Sequence, residues 1–139
     1  LRFFADRQGD LGIERALSEL LEDGTLARHV RTMRGVYRAR RDALDAALRR
    51  HLPDTLQWSV PQGGLALWAE APNVDVDDWA RRADAVSVVL HPGRRFALDG
   101  RARPFLRLGY APLDPDELDE AVRRIARCLP LRSKGGQAG

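Results

Sequence analysis

The chain has 139 residues, 44% of them apolar and 31% charged, which is enough for one compact domain with a core and too little for two of ordinary size. No run approaches the continuous apolar length of a membrane-spanning helix, and Leu1 to Ala5 is followed at once by Asp6 and Arg7, without the apolar centre of a signal peptide. The net charge of +3 comes almost entirely from arginine spread along the chain, Lys134 being the only lysine, so it argues weakly for a nucleic-acid surface; the single Cys128 excludes an internal disulfide and points to a reducing, cytoplasmic setting.

In chain order, the first helix is expected over about residues 11 to 23, with Ile13, Leu17, Leu20 and Leu21 on one face and Gly24 as its stop. A second is expected from Thr25, whose hydroxyl can cap it, to about His51, with Leu26, Val30, Met33, Tyr37, Leu44, Ala47, Leu48 and Leu52 on one stripe. That stripe is interrupted at Arg40 and Arg41. Long arginine stems covering the edge of a core are the plain account, and a junction between two packing surfaces is the other.

After Pro53 the pattern changes to short strand-like runs. Gln57 to Val60 and Leu65 to Ala69 flank Pro61-Gln62-Gly63-Gly64, which reads as a kink or turn between two strands. A short helix is expected from Val76 to Ala83, capped by Asp75. Val86 to Leu90 reads as a third strand that stops at the turn His91-Pro92-Gly93. The last helix begins at Asp114, with Pro115 at its first position and Glu117 placed to complete a capping box, and buries Leu118, Ala121, Val122, Ile125, Ala126 and Leu129. Residues 131 to 139 have nothing to bury and read as a disordered tail. The order predicts an α+β fold, a small and mostly antiparallel sheet covered by helices on one face and preceded by a long linking helix.

Arg107 is the residue most in need of an explanation. It lies in the apolar run Pro104 to Ala111, with no acidic neighbour on either side. Alternation puts Leu106, Leu108 and Tyr110 on one face and Phe105, Arg107 and Gly109 on the other. A guanidinium there either pairs with a distant acid or reaches solvent, or it receives an outside carboxylate or phosphate on its planar fork of donors. Elsewhere the usual constellations are missing. His29, His51 and His91 have no partners at metal or nucleophile spacing, there is no phosphate loop, and Asp75, Asp77 and Asp78 open a helix, where carboxylates favour the positive end of the dipole.

Taken in order, Arg34 to Leu44, Pro61 to Trp68, Pro92 to Phe96 and Leu106 to Ala111 resemble the C-terminal part of fold-type I, pyridoxal-phosphate-dependent aminotransferases. The likeness covers about residues 6 to 129. Arg28-His29, and Asp6 to Asp10, bring it nearest to the aminotransferase-like domain of MocR-type regulators of the GntR family. The resemblance implies that Arg107 binds the α-carboxylate of an amino-acid substrate or effector. It assigns residues 1–24 to a remnant of the family's large domain and 25–130 to the small domain with its linking helix.

The family's Schiff-base lysine and its pyridine-binding aspartate belong to the large domain, and Lys134 matches no family motif. The chain is therefore expected to be a fragment with no catalytic, cofactor-binding or metal-binding residues of its own, unable to transaminate alone. The longer protein would bind pyridoxal 5'-phosphate, form a homodimer and, in the regulator branch, bind DNA through an N-terminal domain. A true class I/II aminotransferase and an arginine-rich nucleic-acid or interaction module stand as alternative functions. The apolar face of the first helix is expected to make the isolated chain self-associate.

Overall fold

A computed structural model describes residues 11–130. The chain divides after Val36 into two compact units. In the first lie helix α1 (Leu11–Glu22) and the opening of helix α2 (Thr25–His51). The periodic apolar positions do form helix, but their side chains stay open: Ile13 is 59% exposed, Leu17 51%, Leu20 42% and Leu21 65%. The start of α2 differs from the expectation in its cap. The carboxylate of Asp23, not the Thr25 hydroxyl, is the group in place, with Oδ1 accepting from the Thr25 N–H at 2.8 Å.

The second unit contains the rest of α2, strand β1 (Gln57–Trp58), strand β2 (Ala66–Glu70), helix α3 (Val76–Asp84), strand β3 (His91–Pro92), a 3-10 turn (Gly93–Phe96), strand β4 (Phe105–Gly109) and helix α4 (Pro115–Arg127). The strands form one sheet in the order β1-β2-β4-β3, antiparallel at every pairing. Its inner face supplies Leu67, Ala69, Leu106, Leu108 and Tyr110 to a core completed by Leu44, Ala47 and Leu48 of α2, Val76, Trp79 and Ala83 of α3, and Leu118, Val122 and Ile125 of α4. Each such leucine, fully buried, contributes about 1.5–3 kcal/mol. Trp79 satisfies its one polar atom within this core, Nε1 donating to the Ile125 carbonyl at 2.8 Å, so two helices are joined where their apolar faces meet.

Both predicted caps of this unit are present. Asp75 accepts from the N–H groups of Asp77 and Asp78, and Asp114 and Glu117 form the reciprocal capping box with Pro115 in the first turn. The strand expected over residues 86–90 is not formed. Beyond α3 the N–H groups of Val86, Ser87 and Val88 turn back to the carbonyls of Ala83 and Asp84, and Ser87 adopts φ 60, so these donors close a helix end instead of a ladder. Pairing begins only at His91, in what the sequence suggested was the turn.

Candidate functional site

The helices leave the outer face of the sheet open, and the register puts specific residues side by side on it. Trp68 of β2 lies opposite Arg107 of β4, and His91 of β3 lies opposite Arg107 on its other side. Trp68, Arg107 and His91 thus form one row across three strands. Arg107 projects from the uncovered face as alternation predicted, half-buried between exposed Phe105 and Gly109. Its guanidinium carbon stands 5.9 Å from the centroid of Phe96, whose ring meets Trp68 edge-on at 5.1 Å. Aromatic faces attract a guanidinium without neutralising it, and leave its donor fork free.

Close approach of backbone holds this row in place. A Cβ on Gly93 would meet Arg103 Cβ at 2.9 Å and Phe105 Cβ at 3.3 Å, so only glycine lets the turn that carries Phe96 lie against β4. At the other end of β4, Tyr110 donates its hydroxyl to the Gly64 carbonyl at 2.8 Å and its N–H to the Leu65 carbonyl at 3.1 Å. Gly64 itself sits at φ +94, a conformation that disfavours any side chain. Arg40 and Arg41, the break in the α2 stripe, act at these strand ends. Arg40 Nη1 donates to the Ala111 carbonyl, and Arg41 Nη1 to the Pro61 carbonyl at 3.1 Å.

Beside the row opens a cleft of about 680 Å³ lined by Leu65, Val88, His91, Arg107, Gly109 and Leu113, with Glu117, Glu120 and Arg124 on its α4 side. Its carboxylates are already committed. Glu117 accepts from the Asp114 N–H at 2.8 Å, and Glu120 is held by Arg124 and Arg123, which bring its carboxyl down to about 2. Among the described residues no carboxylate lies within ion-pair distance of Arg107, and its side chain makes no hydrogen bond. The question posed by the sequence, whether a distant acid folds against this arginine, is answered within residues 11–130: none does.

The remaining candidates have structural partners. Asp75 is a helix cap, Asp77 pairs with Arg94 at 3.0 Å, and Asp78 with Arg81 and Arg82 at 2.9 and 2.8 Å. His51 Nε2 lies 3.2 Å from Asp119, which also receives Arg50 at 2.8 Å. Among the described residues no group of His, Cys, Asp or Glu is arranged to hold a metal ion, and no helix is long and apolar enough to cross a membrane. Burial raises the Cys128 thiol pKa, which suits a packed side chain and not a nucleophile. Lys134 and residues 131–139 lie outside the described residues. Residues 11–130 contain no lysine.

The chain belongs to the family described as aminotransferase class I and II, whose profile matches residues 11–125. It is 36% identical over 112 residues to a 2-aminoadipate transaminase of Thermus thermophilus, a match covering 80% of this chain and 28% of that protein. It is 34% identical to the HTH-type transcriptional regulator TauR of Rhodobacter capsulatus, covering 84% of this chain and 24% of the regulator. Among solved structures, the α-aminoadipate aminotransferase LysN of Thermus thermophilus, complexed with N-(5'-phosphopyridoxyl)-L-leucine, superposes with a TM-score of 0.73 at 34% identity, over 81% of this chain and 29% of that one. A multiple substrate aminotransferase of Thermococcus profundus gives 0.73 at 28% identity, over 80% and 28%. The chain thus spans less than a third of the length of these relatives.

Proposed function

We propose that this chain is the small-domain part of a longer pyridoxal-phosphate-dependent protein, and that Arg107 binds the α-carboxylate of an amino-acid ligand there. One observation carries the reading: Arg107 stands half-buried on the open sheet face over Phe96, with no carboxylate partner among the described residues. A bidentate carboxylate supplies the charge and the acceptors that a planar guanidinium in this setting lacks. In the longer protein the cofactor supplies an electron sink at the ligand's α-carbon. The part of residues 11–130 is to bind and orient the carboxylate.

In this reading the longer protein is a MocR-type regulator, in which the ligand at Arg107 is an effector and DNA is bound through a separate N-terminal domain. The likeness to TauR supports it. The second reading, a transaminase in which Arg107 orients the substrate, is favoured by the likeness to the 2-aminoadipate transaminase and to an aromatic-amino-acid aminotransferase of Thermococcus litoralis, 29% identical over 115 residues. The two are separated by assaying the longer protein for amino-group transfer and for amino-acid-dependent DNA binding. Direct nucleic-acid binding by this chain is the weakest reading, since Arg49, Arg81, Arg82, Arg94, Arg123 and Arg124 are all spent on carboxylates of their own fold. We propose in addition that a second copy of the chain covers the apolar face of α1 when it is made alone.

The test of the Arg107 assignment is calorimetric titration of the full-length protein with amino acids. Arg107→Ala is expected to weaken amino-acid binding by about 2–5 kcal/mol while cofactor absorbance is retained. Unchanged amino-acid affinity overturns the assignment.

A further inference from the structure

The register places His91 opposite Arg107, and paired residues of an antiparallel ladder send their side chains to the same face. His91 is half-buried and lines the same cleft as Arg107. Its two ring nitrogens have different fates. Nδ1 lies 3.0 Å from Nη1 of Arg95. A guanidinium has only donors, so Nδ1 accepts this bond, and the imidazole is held neutral in the tautomer that carries its proton on Nε2. The surroundings favour that neutral form. Burial first, and then the charges of Arg95 and Arg107, push His91 below the usual histidine pKa. Nε2–H is therefore a donor, and among the described residues it has no acceptor.

The nearby carboxylates are engaged elsewhere. On the α3 side Asp77 pairs with Arg94; on the α4 side Glu117 accepts from the Asp114 N–H, and Glu120 holds Arg123 and Arg124. Arg107 likewise has no carboxylate partner among the described residues. A neutral N–H donor and a guanidinium, adjacent in one row and open to one cleft, are complementary to the oxygens of a single carboxylate. We infer that His91 is a second binding residue of the carboxylate site, its Nε2–H donating to the α-carboxylate that Arg107 holds. The bond from Arg95 decides the sign of this contact. With the proton on Nδ1 instead, Nε2 would turn a lone pair towards the carboxylate and repel it. The inference rests on the reading of Arg107 given above and deepens it by naming a further contact.

The experiment titrates the full-length protein with amino acids and with the amines that lack only their carboxylate: L-leucine against 3-methylbutylamine, L-phenylalanine against 2-phenylethylamine, and L-lysine against 1,5-diaminopentane. The quantity read is the ratio of the two affinities, in the pair that the unsubstituted protein binds best. His91→Phe, which keeps a ring and has no donor, is expected to lower that ratio about tenfold, the size of one hydrogen bond to a charged acceptor. His91→Gln, whose amide can present an N–H in place of Nε2–H, is expected to keep most of it. A ratio unchanged in His91→Phe overturns the inference, and so does a loss in His91→Gln as large as that in His91→Phe. A second measurement uses the unsubstituted protein. Its imidazole nitrogen resonances at neutral pH, with His91 identified by the signals missing from His91→Gln, are expected to show the Nε2–H tautomer and to shift with the amino acid but not with the amine. An Nδ1–H tautomer, or signals that respond to neither ligand, also overturn it. Arg107→Ala keeps the two ideas apart. If it lowers the ratio and His91→Phe does not, the Arg107 assignment stands and this one falls; if it leaves the ratio unchanged, both fall.

Discussion

Helices α1 and α4 have similar patterns and opposite surroundings. Each carries apolar residues at three- and four-residue spacing, yet Leu118, Val122 and Ile125 of α4 are buried while Ile13, Leu17, Leu20 and Leu21 of α1 are open. Periodicity states that a helix has an apolar face; it does not state what covers that face. For α4 the cover is the sheet, α2 and α3 of its own unit. For α1 it is not among the described residues, and the chain spans less than a third of its relatives' length.

The largest effect expected from this contrast is in stability. Trp79→Ala removes a fully buried ring and the hydrogen bond to Ile125, and is expected to cost about 3–5 kcal/mol in urea unfolding of the isolated chain. Leu21→Ala in α1 is expected to change it by less than about 0.5 kcal/mol. Comparable losses at the two positions would mean that α1 has a cover as good as that of the core. Next in size is association. If a second copy covers α1, the chain sediments above its monomer mass, and Leu17→Glu with Leu21→Glu returns it to monomer, since a charge placed in an apolar interface must be desolvated. A monomer at all concentrations in the unsubstituted chain defeats the proposal.

The sequence made legible whatever depended on neighbours in the chain. The Asp114-Pro115-Glu117 capping box, the Asp75 cap and the two faces of the Arg107 strand all follow from local rules and are all present. What it hid was set by pairing across the sheet. His91 reads as a turn because Val86 to Leu90 has strand composition, and the donors that would have made that strand are used to end α3. With the register unknown, nothing in the sequence could bring His91 and Trp68 beside Arg107, or Arg95 onto His91. Arg40 and Arg41 of α2 read as stems lining a core edge, and their carbonyl partners, Ala111 and Pro61, are far off in sequence.

A smaller effect tests how local those legible features are. Asp114→Ala is expected to cost about 1 kcal/mol, because its side chain serves two N–H groups of α4 and the box with Glu117 is lost with it. Thr25→Ala is expected to be nearly silent, since the cap at the start of α2 is made by Asp23. A cost at Thr25 equal to that at Asp114 would restore the cap expected from the sequence.

The smallest expected effect distinguishes the two faces of the sheet by pH. Burial, and then the charges of Arg95 and Arg107, hold His91 below the ordinary histidine value of 6.5. Between its folded pKa and that value the unfolded chain binds more protons than the folded one. Stability attributable to His91 is therefore full above pH 6.5 and declines as the pH falls through this window. His91→Asn, which cannot take up the proton, is expected to flatten the fall in melting temperature between neutral and mildly acidic pH. A carboxylate on Arg107 opposes part of the charge contribution to the depression and leaves the burial part. A saturating amino acid with its carboxylate on Arg107 is thus expected to flatten the unsubstituted protein's profile partway towards that of His91→Asn. A profile that neither the substitution nor the ligand alters would mean that the cationic row contributes nothing to the pH response.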